Sequence, residues 1–243
     1  MRILGIESAS LVASAAIVED ASLLAEYTVN FKKTHSQTLL PMIDELIKML
    51  GIELSTVDAV AVSGGPGSFT GLRIGSATAK GLGLALGKPL VSVPTLDAAA
   101  YNLYGAAGLI CPIMDARRGQ VYTGIYRFER EFEVILGQSA LAVGELAERL
   151  NGFGERVIFL GDGVPVHESF LTETLKVPCA FAPAHVNRQR AAAVAVLGSV
   201  YYAAGKTVSA EEHRPEYLRK SQAEREREER EAAACLREGE EPV

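Results

Sequence analysis

Three carboxylates and one glycine-containing loop are the residues of this 243-residue chain best placed for chemistry. Glu7 follows Gly5-Ile6 and Asp115 follows Ile113-Met114, each at the end of an apolar strand and just before a turn. Asp162 stands between Gly161 and Gly163. The loop is Ser63-Gly64-Gly65-Pro66-Gly67-Ser68-Phe69-Thr70-Gly71-Leu72-Arg73, which joins a β-branched strand to a helix and contains no general base. Gly64, Gly65 and Gly67 permit backbone angles that would turn amides toward an anion at a helix N-terminus. A Walker loop would need Lys and Ser or Thr after Gly71, where Leu72 and Arg73 stand, and a dinucleotide fingerprint fails at Thr70. Two readings stay open: an anion cradle including Glu7, Gly65, Gly67, Asp115 and Asp162, or plain turn chemistry.

The helix after the loop carries small residues every fourth position: Gly71, Gly75, Ala79, Gly83 and Gly87. That spacing makes a stripe on one face. Glycine inside a helix costs ~0.5–1 kcal/mol relative to alanine, so close packing must compensate. The stripe serves either the chain's own sheet or a second polypeptide, with Gly71, Gly75, Ala79 and Gly83 as the candidate partner interface.

These features need a scaffold, and the apolar periodicity supplies one twice. Strands are expected over 3–8, 12–19 and 23–30, then a helix bearing Leu39, Ile43, Leu46 and Leu50, with Pro41 in its first turn. A strand over 59–62, the small-residue helix, a strand over 90–93 and a helix over 95–103 follow. The order βββαβαβα then repeats from Leu109, ending in a long helix with Asn187 as its expected cap. The two halves predict an N-terminal lobe over 1–104 and a C-terminal lobe over 105–220, with Glu7 and Asp115 facing one cleft. By analogy this is the α/β, two-lobed actin-like, Hsp70-like architecture, in which nucleotide and magnesium sit between lobes.

Composition narrows the function classes. The chain is 48% hydrophobic with mean hydropathy +0.15, enough for a sizeable core. No apolar stretch is long enough to span a bilayer and no signal peptide is evident at the start, so a cytoplasmic location is expected. Cys111, Cys179 and Cys235 form no CxxC pair. A net charge of -6 argues against a broad nucleic-acid groove. Short clusters, Arg117, Arg118 and Arg127 or Arg188 and Arg190, leave a minor direct RNA contact open. From Gln222 onward there are eight acidic and four basic residues, so 221–243 reads as a charged helical or disordered tail.

Taken together, Ile3-Leu4-Gly5-Ile6-Glu7-Ser8, His35-Ser36, the glycine-containing loop, Met114-Asp115-Ala116-Arg117-Arg118 and Pro215-Glu216-Tyr217-Leu218-Arg219 resemble the TsaB (YeaZ) family over about residues 1–220. The resemblance implies a noncatalytic scaffold that supports a TsaD-like catalytic subunit in making threonylcarbamoyladenosine at position 37 of tRNAs reading codons that begin with A. It implies pairing through N-terminal-lobe helices, self-pairing as a homodimer by a related surface, and a TsaE-like ATPase in the complex. tRNA would be met mainly through that complex. Catalytic relatives of this fold carry a His-x-x-x-His metal pair, whereas His35 is followed four residues later by Leu39, so no metal and no catalytic residue is assigned. Glu7 stands where aspartate is common, and its extra methylene shifts a magnesium contact by about 1.5 Å. ATP or ADP with magnesium is therefore expected, if anywhere, in the assembled complex. The competing reading is a nucleotide-dependent small-molecule kinase or ATPase using Asp115 and Glu7 around magnesium.

Overall fold

A computed structural model describes residues 1–31 and 35–219. The tail expected over 221–243 lies outside the described residues.

The first sheet is built from β1 (Arg2–Glu7), β2 (Val12–Glu19), β3 (Ser22–Asn30), β4 (Ala59–Gly65) and β5 (Leu90–Pro94), in the spatial order β3-β2-β1-β4-β5. β1 pairs antiparallel with β2 and parallel with β4, and β4 pairs parallel with β5. The second sheet repeats this wiring with β6 (Leu109–Asp115), β7 (Gln120–Phe128), β8 (Phe132–Ala142), β9 (Val157–Leu160) and β10 (Cys179–Phe181), ordered β10-β9-β6-β7-β8. The duplicated α/β plan expected from the periodicity is present. Central strands covered on both faces read as continuous apolar runs, as in Ile3-Leu4-Gly5-Ile6 and Ala59-Val60-Ala61-Val62.

Helices α1 (His35–Leu50) and α2 (Phe69–Leu86) cover the outer face of the first sheet, burying Leu39, Met42, Ile43 and Leu46 against Leu4, Ile6 and Val60. Each fully buried leucine contributes ~1.5–3 kcal/mol. Pro41 lies inside α1 rather than in a first turn, because the helix runs from His35; the proline has no N–H to donate there. His35 borders the helix, its Nε2 3.0 Å from the Val12 carbonyl. Helices α4 (Val143–Phe153) and α5 (Val164–Thr174) cover the outer face of the second sheet.

Between the sheets lie α3 (Thr95–Tyr101) and α6 (Ala191–Ala203). α6 packs Ala193, Val194, Ala195 and Leu197 on Ile3, Ala61 and Val93 of the first sheet. A Cβ on Gly5 would lie 2.4 Å from the Ala191 carbonyl oxygen, so that glycine is what lets α6 descend onto β1. The lobe boundary at 104/105 therefore separates the two sheets but not the helices. α6 and the segment after it belong with the first lobe, because the alanine face of α6 finds its matching small residues there. The N-cap of α6 is Arg190, not Asn187, whose carbonyl is already engaged by the Gly161 amide.

Candidate functional site

The end of β1 is closed rather than open. Glu7 has 0% exposure; its Oε1 accepts from the Ala9 amide at 2.6 Å and its Oε2 accepts the Ser63 hydroxyl. Burial pushes its carboxyl up to about 7, against the pull of the Ser63 and Ala9 hydrogen bonds, and the nearby Asp162 charge adds to the rise. A carboxylate with both oxygens engaged inside the protein offers nothing to a ligand in the cleft.

Three amides of the glycine-containing loop are spent in the same way. Gly65 N donates to Thr95 Oγ1 at 3.2 Å, Ser68 N to the Ala9 carbonyl at 2.6 Å, and Gly71 N to Ser68 Oγ, which caps α2. The glycines make room instead of making a cradle. A Cβ on Gly65, which has φ +116°, would fall 2.1 Å from the Glu216 carbonyl oxygen, and one on Gly67 would fall 2.3 Å from the Ala9 oxygen.

The stripe on α2 is likewise accounted for within the chain. Cβ atoms on Gly71 and Gly75 would overlap the Ser8 backbone oxygen and Oγ, at 2.1 and 2.2 Å. Ala79 is buried in the first-lobe core, and Gly83 lies against Leu90 and Ala210. The expectation that Gly71, Gly75, Ala79 and Gly83 face a second polypeptide is therefore corrected. They let α2 lie on its own sheet, and the side left for solvent carries Arg73, Ala77, Gly81, Leu84 and Ala85.

What does fill the cleft mouth is a strap formed by 205–219. It bridges the free edge of β5 at Val208–Leu90 and takes a hydrogen bond from Lys80 Nζ on the His213 carbonyl. Glu216 N then donates to the Gly64 carbonyl at 2.6 Å, and Arg219 Nη1 donates to the Ala116 carbonyl at 2.6 Å. The strap thus ties the loop of the first lobe to the β6–β7 turn of the second. Tyr217 lies on Phe69, with ring centroids 4.8 Å apart, and the Arg73 guanidinium covers the other part of that aromatic pair, 3.8 Å from the Phe69 centroid. A cavity of about 320 Å³ remains, walled by Gly67, Phe69, Asp115, Tyr122, Tyr217 and Arg219 among others.

On the second-lobe side Asp115 is open, its side chain 36% exposed. Its Oδ1 accepts from the Arg117 amide at 2.9 Å and lies 3.6 Å from His167 Nε2. Asp162 sits deeper; burial raises its carboxyl, Arg188 opposes the rise, and one oxygen has no protein partner. Of the five anion-binding candidates, Gly67 and Asp115 reach the cavity, while Glu7, Gly65 and Asp162 do not. No group of three ligand-type side chains able to hold a metal occurs among the described residues.

Two features were missed from the sequence. One is the strap, which carries no apolar period; the Pro215–Arg219 motif was its only signal. The other is the left-handed backbone of the β6–β7 turn, where Arg117, Arg118 and Gly119 take φ +62°, +55° and +70° in succession. Left-handed backbone costs a side-chain-bearing residue ~1–2 kcal/mol, and such turns ordinarily use Gly, Asn or Asp.

A family model described as "TsaD: tRNA N6-adenosine threonylcarbamoyltransferase" matches residues 22–227. "tRNA threonylcarbamoyladenosine biosynthesis protein TsaB" of Bacillus subtilis (strain 168) is 31% identical over 227 residues, covering 92% of this chain and 96% of that protein. The protein of that name in Escherichia coli (strain K12) is also 31% identical, over 229 residues, with the same coverage. Among solved structures, YeaZ from Pseudomonas aeruginosa superposes with a TM-score of 0.77 at 28% identity, over 89% of this chain and 99% of that one. With similarity of this extent on both sequence and fold, the chain belongs to the TsaB (YeaZ) family of tRNA threonylcarbamoyladenosine biosynthesis proteins.

Proposed function

We propose that the chain is a noncatalytic subunit of the assembly that installs threonylcarbamoyl on N6 of adenosine 37 in tRNAs reading codons that begin with A, and that it acts by binding and supporting a TsaD-like catalytic subunit. The observation that carries this reading is the sealing of Glu7 under Ala9 and Ser63, together with the engaged Gly65, Ser68 and Gly71 amides beside it. A kinase or ATPase of this architecture needs that corner open to phosphates and metal. Here it is core.

The surface best suited to the catalytic partner is the outer side of α1 and α2. Leu40, Met49 and Leu84 are 52%, 77% and 60% exposed on these two helices, and Ala77, Gly81 and Ala85 between them allow close approach of another backbone. The same surface serves a homodimer when the chain is alone. Nucleotide with magnesium and a TsaE-like ATPase belong to the assembled complex, in a cytoplasmic setting; no helix among the described residues is long and apolar enough to cross a membrane.

Threonylcarbamoyladenosine formation from ATP, threonine and bicarbonate tests the reading, with a TsaD-like subunit and its companions supplied and this chain present or absent. Product is expected only in its presence. Equal product without it, or ATP turnover by the chain alone that Asp115→Asn abolishes, would favour the kinase. Met49→Glu with Leu84→Glu is expected to abolish co-purification with the TsaD-like subunit and leave the circular dichroism spectrum unchanged.

A further inference from the structure

The strap closes over a histidine that has nothing to bond. His213 is 2% exposed, and neither of its ring nitrogens has a hydrogen-bond partner. A neutral imidazole carries one N–H donor and one acceptor, and leaving both unpaired in a buried place costs free energy. The backbone around the ring is held firmly instead. Glu212 N donates to the Ser209 hydroxyl at 3.1 Å, that hydroxyl donates to Glu212 Oε2 at 3.0 Å, and His213 N donates to the Ser209 carbonyl at 3.1 Å. Two cations then clasp one pair of carbonyls. Lys80 Nζ reaches the Glu211 and His213 oxygens from α2 at 3.4 and 3.3 Å, and Arg214 Nη1 donates to the same two from within the strap.

This seat suits His213 only as a neutral ring. The charges that act on it are Lys80 of α2 and Arg214 of the strap, both positive. The other cation of α2, Arg73, is taken up by Phe69 and Tyr217. Of the strap's carboxylates, Glu211 and Glu212 are exposed, Glu212 is engaged by Ser209, and Glu216 bears on Asp97 of α3. The neighbouring strands β4 and β5 contain no titratable side chain. A proton placed on the buried ring therefore meets two positive charges and no acceptor. Burial first, then the Lys80 and Arg214 charges, hold the ring below its ordinary value of 6.5. The docked strap thus binds fewer protons than the released one, so docking is strongest above pH 6.5 and weakens as pH falls through it.

His213 stands between two backbone anchors of the strap, the Val208–Leu90 pair on the edge of β5 and the Glu216 amide on the Gly64 carbonyl. The same strap brings Glu216, Tyr217, Leu218 and Arg219 to the wall of the cavity. We propose that the strap is an acid-released latch: protonation of His213 frees residues 208–216 from α2 and the edge of β5 and opens the mouth of the cleft. Amide hydrogen exchange of the 243-residue chain tests this at Val208 and Glu216, each rate taken relative to that of an unstructured chain at the same pH. From pH 7 to pH 5 the protection of both amides is expected to fall at least fivefold, with about twentyfold as the limit for one ring that takes its proton only on release, at 6.5. Both should exchange faster than Leu4 and Val62 of the central strands at either pH, because the strap opens by itself. In His213→Phe, which keeps a buried ring but carries no proton, the change with pH should be less than twofold. Protection that does not change with pH in the wild type, or an equal fall in His213→Phe, overturns the latch. Exchange of the strap no faster than that of the central strands overturns it as well, since the strap would then leave only with global unfolding. The His213 ring signal in NMR gives a check that needs no variant: a ring that becomes protonated while Val208 and Glu216 stay protected overturns the proposal too.

Discussion

Glu7 and Asp115 end the corresponding first strands of two lobes with the same wiring, yet one is core and the other faces the cleft. The difference starts in the helices that follow β4 and β9. α2 presents Gly71, Gly75, Ala79 and Gly83 to its sheet and comes down onto Ser8; the segment it presses, Ser8-Ala9, folds over Glu7 and gives it the Ala9 amide. α5 presents Val164, His167 and Leu171 instead. Those larger side chains fill the space over the second sheet, and His167 meets Asp115 from the side without covering it. Duplication preserved topology while the size of buried side chains on one helix face decided which acid stayed accessible.

The strongest way to break this comparison is to change side-chain size in opposite directions on the two helices. Gly71→Ala puts a methyl 2.1 Å from a backbone oxygen that has nowhere to go, so a loss of about 3 kcal/mol is expected, the top of the overpacking range. Leu171→Ala, which removes a fully buried side chain from α5, is expected to cost about 2–5 kcal/mol by leaving a cavity. Urea denaturation measures both. If Gly71→Ala is neutral, α2 is not held against Ser8 and the account of why Glu7 is sealed fails.

A second test uses pH. Glu7 titrates at about 7 when folded and at 4.5 as its ordinary value, so between these the folded chain holds a proton the unfolded chain has released. Its contribution is fully present below about 4.5 and is lost as pH rises through 7. Glu7→Gln removes that slope, and the stability difference between wild type and variant should shift by about 2–3 kcal/mol from pH 5 to pH 8, in disfavour of the wild type at the higher pH. A constant difference would mean that Glu7 is ionised in the fold.

Between the lobes, Asp97 of α3 accepts a hydroxyl from each side, Tyr126 of β7 at 2.7 Å and Tyr201 of α6 at 3.3 Å. Burial raises the Asp97 carboxyl and both hydroxyls oppose the rise. Tyr126→Phe is expected to cost about 1.5–3 kcal/mol and Tyr201→Phe less, because the shorter bond is the more deeply buried one. Equal losses would make the two lobes equivalent at this junction.

The double βββαβαβα order was legible because strands and helices announce themselves by period, as in the run from Ala59 to Leu86, a strand and then a helix. Gly71 and Gly75 were legible as a close-packing face but not as to what packs there, since a Cβ missing from a helix says only that something is near. The close descent of α6 onto β1 was hidden for the same reason, in Gly5 and Gly198. The strap, which decides the shape of the cleft, has no repeat to read: Val208, Ala210, Tyr217 and Arg219 each meet a different element. The cavity was therefore half visible, with Asp115, Gly67 and Arg117 named in advance and Phe69, Tyr122, Tyr217 and Arg219 not foreseen as its walls.

The smallest expected effect sharpens the comparison most directly, because it asks whether Asp115 is held by the fold as Glu7 is. Asp115→Asn keeps a carbonyl oxygen at Oδ1 for the Arg117 amide, and the side chain is exposed enough that water replaces whatever the charge supplied. Surface substitutions of this sort stay within about 0.5 kcal/mol, so the variant should unfold in urea like the wild type. A loss of several kcal/mol would show that His167 and Asp115, 3.6 Å apart, form a buried pair in solution and that the second cleft wall is closed too. A neutral result leaves one lobe with its acid built into the core and the other with its acid free to meet a ligand, which is the asymmetry the packing of α2 and α5 requires.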